Sequence, residues 1–237
     1  MKIKTAVITF GTSLLLTSLS AQAELSANVA ITTDYSFRGI SQNDEAMAIQ
    51  GGFDYAHENG FYAGVWASNV DDSFFAGSSI EMDTYAGWGG DVGPVSLDVG
   101  YLRYNYPDSD ASDPLIGYET DTDEFHIGVS KDFGALSAGF TYYYSPDFFD
   151  VGDGSYYDLG ADIPVGQFSI ALHYGATKID EKDGGADLDY ADYRIGISTE
   201  LEGFGLDLSY SGTDDDGLCA GSDLCDGRVY FTVSKSM

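Results

Sequence analysis

Ten carboxylates recur at alternating positions within otherwise apolar segments of this chain: Asp34, Asp54, Glu81, Asp83, Asp98, Glu124, Asp158, Asp162, Asp192 and Asp207. Arg38, Arg194, His126 and His173 fall in the same phase. Residues two apart share one face of a strand, so these groups gather on a common face. Such a face can do acid–base work, hold a metal through oxygen ligands, or attract cations. Hydrolysis needs a base beside a nucleophile, oriented by a third group. No local signature of that kind surrounds His126 or His173, and His57 falls in an expected turn. Neither an enzyme nor a cofactor is expected. The acidic runs Asp108, Asp110, Asp113, Glu119, Asp121 and Asp123, then Asp180, Glu181, Asp183 and Asp187, then Asp214 to Asp216, offer oxygen ligands for Ca²⁺ or Mg²⁺. None has the spacing of an EF-hand, and a solvated loop is the plainer reading. No metal site is expected. Cys219 and Cys225 are the only cysteines, with five residues between them. That spacing excludes a redox C-x-x-C pair, and an exported chain favours a disulfide. The remaining chemistry is electrostatic: the fourteen in-phase residues are candidates for the lining of a pore.

The elements that position them are strands. Val29, Ile31, Thr33, Tyr35 and Phe37 oppose Asn28, Ala30, Thr32, Asp34, Ser36 and Arg38, which predicts a first strand running through Arg38. Phe125, Ile127 and Val129 oppose Glu124, His126 and Gly128, and Phe168, Ile170, Leu172 and Tyr174 oppose Ser169, Ala171 and His173. The third strand is ambiguous, with Phe61, Ala63 and Val65 competing against Tyr62 and Trp66. Twelve such strands are countable. Their links alternate: short ones near 57–60, 89–94, 132–135, 164–167 and 200–203, longer ones at 39–45, 70–79, 107–121, 145–154, 178–188 and 213–227. A membrane barrel sorts its connections in this way, with short turns on the periplasmic side and long loops outside. A soluble sandwich has no reason to.

The first residues read as an export signal. Lys2 and Lys4 precede an apolar stretch from Ala6 to Leu16, and Ala21-Gln22-Ala23 matches a cleavage site. Cleavage there leaves 214 residues starting at Glu24, and loss of the two lysines deepens the net charge from −29 to −31. So acidic a chain excludes nucleic acid as a partner. The 18 Tyr and 14 Phe exclude disorder. With no long apolar run to form a helix across a bilayer, a closed barrel is the spanning structure left. The expected fold is all-β: a single transmembrane, antiparallel, up-and-down β-barrel of 12 strands over residues 24–237, after a signal peptide at 1–23.

The stretch Ala27 to Asn69 resembles the start of the TorF family of proteobacterial porins. The run Asp34 to Gln42 (DYSFRGISQ) and the run Gly60 to Asn69 (GFYAGVWASN) carry most of the likeness, which extends to Ser234-Lys235-Ser236. The resemblance implies a small outer-membrane barrel with channel function. One departure is the last residue, Met237, where barrels often end in an aromatic. Together these features lead us to expect a narrow, acid-lined, cation-preferring channel in the Gram-negative outer membrane. Both termini would be periplasmic. Its partners would be outer-membrane lipid, small solutes or cations, and the barrel-assembly machinery. A surface hydrolase and an adhesin are the competing classes; the first would gain from histidines at the outer rim bonded to carboxylates, the second from an occluded lumen.

Overall fold

Alternation of branched and aromatic residues with Gly, Ser and Asp is realised as long strands. A computed structural model describes residues 24–110, 120–181, 188–214, 219 and 222–237. The expected signal peptide lies outside the described residues, as do Asp113, Glu119, Asp183, Asp187, Asp215 and Asp216 of the acidic runs. In chain order the strands are β1 (Glu24–Thr32), β2 (Ser36–Phe37), β3 (Ile40–Ser41), β4 (Ala48–Ala56), β5 (Phe61–Asn69), β6 (Ile80–Val92) and β7 (Val95–Asn105). There follow β8 (Thr122–Asp132), β9 (Ser137–Ser145), β10 (Gly152–Val165), β11 (Phe168–Glu181), β12 (Tyr190–Leu201), β13 (Phe204–Thr213) and β14 (Arg228–Ser236). Twelve of them form one closed antiparallel barrel in which each strand pairs with its sequence neighbour and β1 pairs with both β4 and β14. The small hairpin of β2 and β3 stands apart from it. Ala27 and Met237 exchange backbone hydrogen bonds of 3.0 and 2.8 Å at the seam, so the terminal Met takes its place in the closure through its backbone.

The alternation of links is present and sharper than the sequence suggests. The short turns shrink to 93–94, 166–167 and 202–203 beside four-residue turns at 57–60 and 133–136. Glu202 and Gly203 both have positive φ, 50° and 77°, the backbone of a two-residue turn whose twist matches the flanking strands. The six longer links lie at the opposite end of the barrel.

Polarity is inverted relative to a water-soluble fold. Ile31, Phe53, Val65, Phe125, Ile127, Leu159, Ile195, Leu208 and Phe231 are among the exposed large hydrophobics, and every barrel strand contributes to that exterior. Glu81, Asp83, Glu124, Asp162, Asp192 and Asp207 are buried inside. The third strand is now fixed: Phe61 and Val65 face out, Tyr62 and Trp66 in. A water-facing protein rarely leaves so continuous an apolar surface bare.

One expectation needs correction. Strand β1 ends at Thr32, Thr33 keeps one more pair of bonds to Phe231 of β14, and residues 34–43 then leave the wall and fold into the lumen. Thr32 Oγ1 donates to the Asp34 carbonyl at 2.8 Å, the Tyr35 N–H donates to Asn43 Oδ1 at 2.9 Å, and Ser41 Oγ donates to Asp34 Oδ1 at 2.7 Å. These local side-chain bonds replace the ladder that a longer β1 would have made. Arg38 and Gly39, both at positive φ (47° and 83°), turn the tip.

In the last long loop Cys219 and Cys225 are joined in a disulfide, with a Cα–Cα distance of 5.8 Å. Replacing both by Ser is expected to lower unfolding stability by roughly 2 kcal/mol, the chain-entropy value for so small a ring; urea titration of the two proteins checks it. A second contact at the long-loop end is sensitive to pH. Lys178 Nζ at 2.7 Å, with the Ile179 N–H at 2.9 Å, holds the Asp189 carboxyl below its usual range. A depressed carboxylate stabilises the fold above its unfolded pKa of about 3.9, and that stabilisation is lost as pH falls through the folded value. Amide exchange at Ile179, relative to its intrinsic rate, is expected to quicken only below about pH 4. In Asp189→Asn it should be quick at neutral pH as well.

Candidate functional site

The tip of the β2–β3 hairpin carries Arg38 across the lumen. Its Nη2 donates to Glu124 Oε1 at 2.7 Å and Oε2 at 2.8 Å on the β8 wall, and both side chains are almost fully buried, at 6% and 2% exposure. The Tyr104 hydroxyl donates to the same carboxylate at 2.9 Å. The guanidinium carbon lies 4.0 Å from the ring centre of Tyr156, 4.8 Å from Phe37, 5.5 Å from Phe148 and 5.6 Å from Tyr143, all within cation–π range. Burial works against the Arg38 charge, but Glu124 outweighs it and holds the guanidinium above its usual pKa.

Other wall strands grip the rest of the hairpin. Tyr35 donates to Glu81 Oε1 on β6 at 3.0 Å. Ser36 and Ser211 hydroxyls meet at 3.0 Å on β13. Arg228 Nη1 of β14 lies 3.4 Å from Asp34 Oδ2. Gly39 sits so close to β12 and β13 that an added Cβ would stand 2.7 Å from the Gly212 carbonyl oxygen and 2.9 Å from Asp192 Cβ. Long loops close over it: Phe75 stacks on Tyr106 at 4.3 Å, and Tyr35, Val70, Phe75, Tyr104 and Tyr106 form an apolar cluster. The hairpin leaves a cavity of about 50 Å³ beside it, lined by Arg38, Tyr143, Tyr156, Asp158, His173 and Arg194 among others. A cavity of that size holds a few waters.

The sequence-selected residues fall into groups. Glu81 accepts from Tyr35 and from Tyr106 at 3.2 Å. Asp83 lies two residues along β6 and accepts no bond from a phenol, amide or cation among the described residues. His173 is held between Asp158 (Nδ1 to Oδ1, 3.1 Å) and Asp192 (Nε2 to Oδ1, 2.7 Å), with the Tyr156 hydroxyl 3.0 Å from Nε2. His126 Nε2 bonds Asp98, to which Tyr62 also donates at 3.1 Å. Arg194 donates to Asp207 at 3.0 Å. Asp54 accepts from Tyr85 on the neighbouring wall. Asp162 is buried on β10 toward the 166–167 turn. Asp34 and Arg38 belong to the hairpin and not to a strand of the wall. Both histidines meet carboxylates, but at mid-strand and away from the outer rim.

Sequence reasoning missed Tyr104, Tyr143 and Tyr156 as functional groups, and Arg228 as an inward cation. The rings of Tyr35, Phe37, Tyr104, Tyr106 and Tyr143 turn inward. Strand parity carried the signal: Tyr104 is in phase with Asp98, Tyr143 with Thr141, and Tyr156 with Asp158. Phenols answer part of the excess of ten carboxylates over two arginines: Tyr104 donates to Glu124, Tyr156 to Asp192, Tyr62 to Asp98 and Tyr85 to Asp54, each without adding charge.

A family model described as "Bacterial protein of unknown function (Gcw_chp)" matches residues 17–237. The chain belongs to this family. Among curated proteins nothing matches it. Its fold is that of solved porins. The structure titled "NanC porin structure in rhombohedral crystal form" superposes with a TM-score of 0.57 at 10% identity, covering 89% of this chain and 98% of that one. The Salmonella typhi OmpF complex with daunomycin superposes with a TM-score of 0.50 at 7% identity, covering 91% and 97%. At these identities the likeness is one of architecture: the Gcw_chp chain shares the closed porin-like barrel, with a lumen crossed by its own first loop.

Proposed function

We propose that this chain is an outer-membrane channel of porin type, of the kind the TorF resemblance implies, which passes small solutes passively and prefers cations. The observation that carries the proposal is the inverted closed barrel: an apolar exterior on every strand around an interior of carboxylates. A closed barrel satisfies its backbone without water and can therefore span lipid. Strands of 9 to 14 residues are long enough to do so. The short turns and both termini share one end, which we place in the periplasm. The expected signal peptide, 1–23, fits export of a mature chain from Glu24 and delivery to the barrel-assembly machinery. Buried acceptors without protein partners among the described residues, Asp98 Oδ2 and Asp207 Oδ2 among them, call for water in the lumen. Ten inward carboxylates against Arg38, Arg194 and Arg228 give a field that favours cations.

The testing experiment is single-channel conductance of refolded protein in a planar bilayer, with the reversal potential under a salt gradient. Current steps with a reversal potential displaced toward the cation limit are expected. Steps without selectivity would remove the role of the carboxylates.

The hairpin supports a second reading, a barrel kept shut and used at the surface as an adhesin or structural protein. Wild-type protein that never conducts, together with a hairpin-less variant that also stays silent, would favour it. A surface hydrolase is disfavoured by the mid-strand position of both histidine groups.

A further inference from the structure

We infer that the seat of Arg38 is a binding site for organic cations of the guanidinium class, filled in this structure by the chain's own side chain. The inference deepens the channel proposal, since a solute reaches the seat through the lumen. When the hairpin withdraws it takes Arg38 and Phe37 with it. The wall keeps Glu124, the Tyr104 hydroxyl bound to it, and the ring faces of Tyr143 and Tyr156, and the link between β9 and β10 keeps that of Phe148. One carboxylate facing several aromatic rings is a composition suited to a flat, weakly hydrated cation, which can give N–H donors to the acid while lying over a ring. Arg38 does both, with Nη2 2.7 and 2.8 Å from the two oxygens and Cζ 4.0 Å over Tyr156. A small, strongly hydrated metal cation would gain little from the rings. Arg38 is tethered and therefore present at an effective concentration that a dilute free cation does not match. The seat should thus be closed to weak ligands until the hairpin is released.

The test is isothermal titration of detergent-solubilised, refolded protein with methylguanidinium at millimolar concentration, and with urea as a neutral isostere. Wild type should show no binding in that range. Arg38→Ala should bind one methylguanidinium and no urea. Adding Glu124→Gln to Arg38→Ala should weaken binding by at least about tenfold, and adding Tyr156→Leu by roughly tenfold. If Arg38→Ala does not refold, Gly39→Val displaces the tip with the wall intact and should bind the same ligand, more weakly because Arg38 still competes. Equal response to methylguanidinium and urea in the released variant, or full affinity without Glu124, would overturn the site. The titration needs no current. A variant that conducts but does not bind refutes the site and keeps the channel, and one that binds but never conducts does the reverse.

Discussion

Gly39→Val is expected to raise single-channel conductance several-fold over wild type, with the barrel otherwise unchanged. Twelve strands about 4.8 Å apart and tilted about 40° enclose a backbone ring roughly 24 Å across. Inward side chains take about 5 Å on each side, and a hairpin with its own side chains is about 10 Å thick, so it fills most of what remains. Conductance follows the open cross-section, hence the size of the effect. The substitution strikes where the tip has no slack. Gly39 has φ +83°, a region that β-branched residues avoid, and a Cβ there would press on the Gly212 carbonyl, Asp192 and Thr213 Cγ2. Backbone on β13 cannot step aside, so the tip must lift. Planar-bilayer recordings of the two proteins decide it, with heat-modifiable gel mobility confirming a folded barrel. Conductance equal to that of wild type would mean that the hairpin does not obstruct the path.

Much of the wall is legible in the sequence because its signal is local. Period-two alternation places Glu81, Asp83, Glu124, Asp192 and Asp207 on one face without knowledge of any partner strand. Loop lengths order the two ends. The third strand was undecided because Phe61, Tyr62, Val65 and Trp66 put large rings on both faces; the tie is broken only in the barrel, where Tyr62 reaches Asp98 and Trp66 packs edge-on to Tyr35 at 5.5 Å.

The hairpin was illegible for a related reason. Asp34 to Phe37 keeps the alternation of β1, so periodicity carries the predicted strand straight past Thr32. What stops the wall is contributed from farther along the chain: Ser41 and Asn43 bond back to Asp34 and Tyr35, and β13 leaves a gap that only a glycine fits. Arg38 was thus recognised as an inward cation on a strand it does not belong to. The run Asp34 to Gln42, one of the two that carry the family likeness, is this hairpin. The pairing of Arg38 with Glu124, 86 residues away, depends on how a loop folds across a closed lumen, and no spacing rule in the sequence encodes that.

The ion pair at the tip gives the second large effect. Glu124→Ala is expected to destabilise the seated state by about 3–5 kcal/mol, the cost of leaving one buried charge without its partner. The aromatic rings still face Arg38, but cation–π contacts of about 1–2 kcal/mol do not replace a carboxylate. The cost has an upper limit, because the chain can release the hairpin and return Arg38 to water. Trp66 packs against Tyr35 at the base of the hairpin, and Trp88, the other tryptophan, lies by the His57–Gly60 turn. Release should therefore appear in urea titration as an early shift in Trp66 emission, ahead of the barrel's own unfolding, and as new protease cleavage within residues 33–47. Arg38→Met combined with Glu124→Leu separates charge from packing: with both charges gone, the seat should recover to within about 1 kcal/mol of wild type. If the double variant is as unstable as Glu124→Ala, the Arg38–Glu124 pair contributes net stability that apolar packing at the tip does not replace. If it recovers, the charge pair adds little net stability while seated but makes that state depend on one carboxylate, which is the property a displaceable closure requires.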